Sequence, residues 1–234
     1  MGSRSRDQEE RDEELTVLIT GFGPFRDQYP VNPSWEIVKD LPPYLPPLRD
    51  AKTPRVRLVV HPSAIRVNYD LVQSLVPDFW NPDGYLGHRI DLAVHLGMAG
   101  PRPCYQIERR GHGRGYTAPD VDGCRPDGPD LHPDACMPDE IETDLDLDDV
   151  LKRWQRHSAD DLDLRISEDA GRYLCDFIYY SSLSTLWKQQ RPRRVVFLHV
   201  PCACTDLHIV QGRQLVLSLV QAIVESHEAA ACRA

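Results

Sequence analysis

The chain has 234 residues, a formal net charge of −9 and seven cysteines. That length suits one α/β domain better than two. The acidic balance argues against a nucleic-acid or anionic-membrane partner, since both bind clustered basic residues.

No uninterrupted apolar run reaches the roughly 20 residues that span a bilayer, so no membrane association is expected. The opening MGSRSRDQEERDEEL lacks the apolar centre of a signal peptide. Arg6 stands where a myristoylation signal requires Ser or Thr. The cysteines are therefore expected to be reduced thiols in a cytoplasmic protein.

Residues 1–14 are a charge run read as a disordered tail, with one α/β domain over 15–234. Leu15–Thr20, LTVLIT, is rich in β-branched residues and reads as a strand covered on both faces. It enters GFGPF. A dinucleotide loop would need a further glycine where this chain has Phe25-Arg26, so that reading is weak. What remains is a strand-end loop carrying Phe22, Phe25 and Asn32, placed where open α/β sheets bind ligands. Two rings there suit a flat apolar group, with packing under the next helix as the alternative.

A helix is expected over Trp35–Leu41, then a proline-rich loop, a strand over Arg55–Pro62 and a helix over Asn68–Trp80. A turn over Asn81–His88 leads to a buried strand, Ile90–Gly97. Beyond it, Tyr105–Glu108 reads as a short extended segment. Glu108 is either one half of a surface ion pair with Arg109 or Arg110, or the carboxylate that orients a catalytic histidine. Residues 117–147 are acidic and rich in Pro and Gly, and read as a surface excursion. Cys124, His132 and Cys136 lack the paired spacing of a zinc site, so no metal is expected.

A helix over Leu147–His157 and a strand over Leu162–Ile166 lead into ISEDAGRYLCDF. That stretch turns at Ala170-Gly171 and begins a helix whose buried face is read as Leu174, Phe177, Ile178 and Ser181. Cys175 then sits in the first turn, where unpaired N–H groups and the helix dipole favour a thiolate nucleophile. The equal alternative is a small buried thiol. The strand Arg194–Val200 ends with His199, and the helix Val210–Glu225 closes the chain. A βαβ unit is expected to set the strand ends before Cys175 and at His199 side by side. Imidazole is the side chain suited to take a thiol proton near neutral pH.

Four segments in this order, TGFGPF with VNPSW, VHLGMAG with IERRGHGRGY, ISEDAGRYLCDFIYYSSL and FLHVP, resemble the pyroglutamyl peptidase I (pyrrolidone-carboxylate peptidase) family, most closely its animal-type branch. The resemblance implies a three-layer α/β/α sandwich with a mostly parallel sheet, and a cysteine peptidase using no cofactor and no metal. It places the nucleophile on Cys175, the base on His199 and the orienting carboxylate on Glu108. Phe22, Phe25 and Asn32 fall on the substrate-binding positions. The implied partners are pyroglutamyl peptides, and the chain is expected as a monomer or weak homo-oligomer. Arg26-Asp27 and CACTDLH after Pro201 depart from the family pattern. They keep open a binding protein that has lost turnover, and mark Cys202 and Cys204 as redox-sensitive bystanders. Arg109, Arg110 and Arg114 stay open as an oxyanion partner.

Overall fold

The structure, a computed structural model, describes residues 14–25, 28–46, 54–100, 103–126 and 137–232. The expected tail lies outside them except for Glu14, which accepts a hydrogen bond from Arg57 Nε at 2.6 Å. In chain order the elements are β1 (Leu15–Gly21), α1 (Pro33–Val38), β2 (Val56–Val60), α2 (Tyr69–Phe79), β3 (Leu92–Met98), β4 (Cys104–Glu108), β5 (Arg110–His112), β6 (Glu140–Glu142), α3 (Leu147–Arg156), β7 (Asp163–Ser167), α4 (Leu174–Lys188), β8 (Val195–Val200) and α5 (Asp206–Ala231).

Six strands form one sheet in the order β2-β1-β3-β8-β4-β7. The first four run parallel. β4 runs antiparallel to β8 and parallel to β7. Alternation along the strands splits the core in two. Val17, Ile19, Val94, Leu96, Val196 and Leu198 face α1, α3 and α5, while Leu18, Ala93, Val195 and Phe197 face α2 and α4. This is the α/β/α layering with a mostly parallel sheet.

The βαβ expectation fails. β4 fills the place beside β8, and β7, beyond it, runs the opposite way to β8. An apolar run carries no mark of strand direction. Cys175 instead approaches His199 because α4 packs over β3 and β8.

The single buried face expected for α4 is also corrected. The helix is buried on nearly every side, and Asp176, Tyr179, Tyr180 and Ser182 lie inside while Ser181 is only partly covered. It is enclosed by α2 and by β5 and β6 as well as the main sheet. The segment 117–147 is not wholly superficial, because Asp120, Ile141 and Thr143 are buried. Asp120 accepts from the Tyr69 N–H at 3.1 Å and so ties the excursion to the start of α2. Finally, α5 runs 26 residues, capped by Thr205, and is long and apolar enough to cross a membrane. The sequence reading missed this by starting the helix at Val210. Here α5 packs on α1 and α3, and the Trp154 indole donates to the Leu215 carbonyl at 3.0 Å.

Candidate active site

On the face of the sheet under α4, register brings four positions together. Gly97 on β3 pairs with His199 on β8, and Phe197 on β8 pairs with Glu108 on β4. His199 and Glu108 are therefore diagonal neighbours on one face, a spacing that long side chains bridge. His199 Nδ1 lies 2.7 Å from Glu108 Oε1. Glu108 is 1% exposed, and its second oxygen has no hydrogen-bond partner among the described residues. Tyr179 donates to the Glu108 carbonyl at 2.8 Å and fixes that strand end to α4.

His199 also shares the cavity wall with Cys175 and interacts electrostatically with its sulfur. Burial lowers the imidazole's affinity for a proton, but the interactions with Cys175 and Glu108 more than offset it, raising His199 to about 10. Cys175 is the second residue of α4. The N–H groups of Leu174, Cys175 and Asp176 precede the first intrahelical bond, from Phe177 N–H to the Tyr173 carbonyl at 2.9 Å. The N-cap residue Tyr173 makes no side-chain cap. These donors and the positive helix end suit a developing oxyanion. Gly97 supplies the space for the sulfur, since a Cβ there would stand 2.7 Å from Cys175 Sγ and 2.6 Å from Phe197 Cζ.

A cavity of about 330 Å³ opens over this group, walled by Phe22, Phe25, Tyr29, Tyr173, Leu174 and Met98, with Cys175 and His199 in its lining. Phe25 lies 6.3 Å from both Tyr29 and Tyr173, ring centre to ring centre. Asn32 also reaches the cavity, yet its amide is spent on the loop. It donates to the Gly23 carbonyl at 2.9 Å and accepts from the Ser34 hydroxyl at 2.8 Å and the Ser34 N–H at 3.1 Å. All six residues singled out from the sequence thus meet at one place.

The sequence profile of the pyroglutamyl peptidase family matches residues 15–234. The chain belongs to that family. Among its curated relatives, human pyroglutamyl-peptidase 1 is 37% identical over 187 residues, 79% of this chain and 78% of that protein. Pyrrolidone-carboxylate peptidase of Bacillus cereus is 27% identical over 194 residues, 80% of this chain and 78% of that protein. The solved pyrrolidone carboxyl peptidase of Thermococcus litoralis shares the fold, with a TM-score of 0.72 at 19% identity over 92% of this chain and 96% of that one.

Within this member of the pyroglutamyl peptidase family, the three open arginines point elsewhere. Arg109 pairs with Asp148 and Glu168, Arg110 with Glu140, Glu142 and Glu168, and Arg114 with Asp139. No arginine among the described residues lines the cavity. Arg26, Asp27, His132 and Cys136 lie outside the described residues, and Cys124 is exposed. Cys204 lines a neighbouring groove, where burial and the nearby Glu36 push its thiol up against the opposing Lys39.

Several residues escaped the sequence reading. Tyr29 and Tyr173 complete the aromatic wall. Directly after the sulfur, Asp176 is fully buried and accepts from the His112 N–H at 3.2 Å and the Tyr116 hydroxyl at 2.6 Å, with His112 Nδ1 3.0 Å away. Burial pushes its carboxyl up, and the His112 and Tyr116 contacts oppose that. The two-residue alternation pairing His95 with Gly97 and Phe197 with His199 was the available signal for the sulfur's seat.

Proposed function

We propose that this chain is a cysteine peptidase that releases N-terminal pyroglutamate from peptides, with Cys175 as nucleophile, His199 as acid–base and Glu108 as its orienting carboxylate. One observation carries the reading: His199 is held between Glu108, at 2.7 Å, and Cys175, at the edge of an aromatic-walled cavity.

The chemistry follows from that order. The thiol proton passes to His199, and the sulfur attacks the carbonyl that joins pyroglutamate to the next residue. Negative charge develops on the carbonyl oxygen, to which the N–H groups at the start of α4, unpaired among the described residues, donate hydrogen bonds. The C–N bond breaks as His199 returns its proton to the leaving amine, and a thioester to Cys175 remains. Water, deprotonated by His199, then hydrolyses the thioester and restores the thiol.

The cavity accounts for selectivity. Its described lining contains no Asp or Glu. An ordinary N-terminal ammonium would be buried there without a counter-charge, which is costly, while the uncharged lactam is not penalised. Phe22 and Phe25 offer faces to the ring, and Asn32 acts by fixing the loop that carries them.

No observation favours the binding-only alternative. The working form is proposed to be a monomer or weak homo-oligomer in the reducing cytoplasm. Release of aminomethylcoumarin from its pyroglutamyl amide tests the activity. Wild type should turn over and be stopped by iodoacetamide. A folded Cys175→Ala variant that matched wild-type turnover would refute the assignment.

A further inference from the structure

Beside the aromatic cavity lies a second, open groove of about 650 Å³ between residues 28–31 with α1 and the segment 202–213. The two hollows share one wall, Tyr29. We infer that this groove receives the peptide segment downstream of pyroglutamate, and that it selects an apolar side chain together with a cationic one. The inference rests on the peptidase reading above.

The direction follows from the chemistry. His199 must protonate the leaving nitrogen, so the chain attached to that nitrogen departs on the His199 side. Beyond the carboxyl end of β8, which closes at Val200, Cys202 and Cys204 form the near edge of the groove, so the chain passes round the strand ends from the α4 face that carries His199 toward α1 and α5. Tyr29 separates the ring cavity from the outlet, so a peptide with its lactam against Phe25 continues past Tyr29 into the groove.

The groove's surface sets its preference. Val31 and Val210, 44% and 50% exposed, face the groove with Ile209 between them and the core. Exposed aliphatic side chains clustered at the mouth of a site mark a place for apolar ligand groups. The charges are not balanced. Lys39 is paired with Glu36 and Arg213 with Asp40, whereas Asp206 forms no ion pair among the described residues. The groove therefore carries one carboxylate more than its cations, Asp206 in the first turn of α5, and this excess attracts a lysine or arginine and repels an acid.

The test compares kcat/KM on pyroglutamyl-aminomethylcoumarin, pyroglutamyl-Leu-Lys-amide and pyroglutamyl-Leu-Glu-amide. Val210→Ser should lower the ratio of lysine peptide to coumarin amide about fivefold, the loss expected for half a valine's burial. Asp206→Asn should lower the ratio of lysine to glutamate peptide about threefold, as for an exposed charge pair. Ratios unchanged in both variants, or a parallel fall on all three substrates, overturn the groove assignment. Wild-type protein that leaves the coumarin amide intact instead sinks the peptidase reading, so the two failures are distinguishable.

Discussion

Replacing Gly97 by alanine adds one methyl group at the most crowded point of the site. The new carbon would lie 2.6 Å from Phe197 Cζ and 2.7 Å from Cys175 Sγ. Ordinary contacts between such atoms are about 3.5–4.0 Å, so something must retreat by about 1 Å. Phe197 is fully buried and packed under α4, and cannot yield easily. The sulfur is the movable end, and it moves away from His199. A misplacement of about 1 Å at a reacting atom costs on the order of 100-fold in rate. That corresponds to about 2.7 kcal/mol of barrier. Gly97 does not line the aromatic cavity, so the loss should appear in kcat with KM nearly unchanged. Steady-state hydrolysis of the coumarin substrate measures both parameters, and a thermal melt establishes that the variant is folded. A folded Gly97→Ala enzyme whose kcat stays within about threefold of wild type would refute the claim that this glycine seats the sulfur.

Glu108→Gln removes a charge that raises His199, so the imidazolium loses its proton at lower pH and the alkaline limb of kcat/KM moves down from about 10. Loss of the charge-assisted bond should also cut kcat about 10- to 100-fold near neutral pH, read from a full pH–rate profile. Asp176→Ala strands the His112 N–H and leaves the Tyr116 hydroxyl with the His112 carbonyl as its remaining acceptor, and should cost about 2–4 kcal/mol in urea unfolding. His95 is fully buried between the Thr20 and Ser182 hydroxyls, at 2.8 and 2.9 Å, and burial lowers its pKa from 6.5 to about 3. The unfolded chain therefore binds the extra proton first. The His95 contribution to stability should be full above pH 6.5 and should fall toward pH 3 by about 1.4 kcal/mol per unit, a slope that His95→Gln should flatten; the raised His199 acts in the opposite sense, its contribution being lost as pH rises toward 10.

Much of this was legible from residues alone, for physical reasons. β1, β3 and β8 are buried on both faces, so each reads as a mostly apolar run, interrupted only by Thr16 and Thr20, His95 and His199. The first-turn position of Cys175 followed from the Ala170-Gly171 turn, where Gly171 has φ +85°. What stayed hidden was relational. The antiparallel insertion of β4 depends on partners far along the chain. Alternative fates for Arg109 and Arg110 were settled by Asp148, Glu140, Glu142 and Glu168, a set of carboxylates with no sequence proximity to mark them. Asp176 was overlooked because an aspartate in a first helical turn is normally a solvated dipole partner. Burial turned it into a bracket for the loop at His112–Tyr116.

The antiparallel seam between β4 and β8 has a consequence for how the molecule fails on heating. Gln106 lies opposite His199 and Glu108 opposite Phe197, in a ladder flanked by β3 on one side and β7 on the other. Frayed termini and opening loops leave such an interior ladder intact. The proton relay should therefore survive until the whole sheet melts, making residual turnover a gauge of the native fraction.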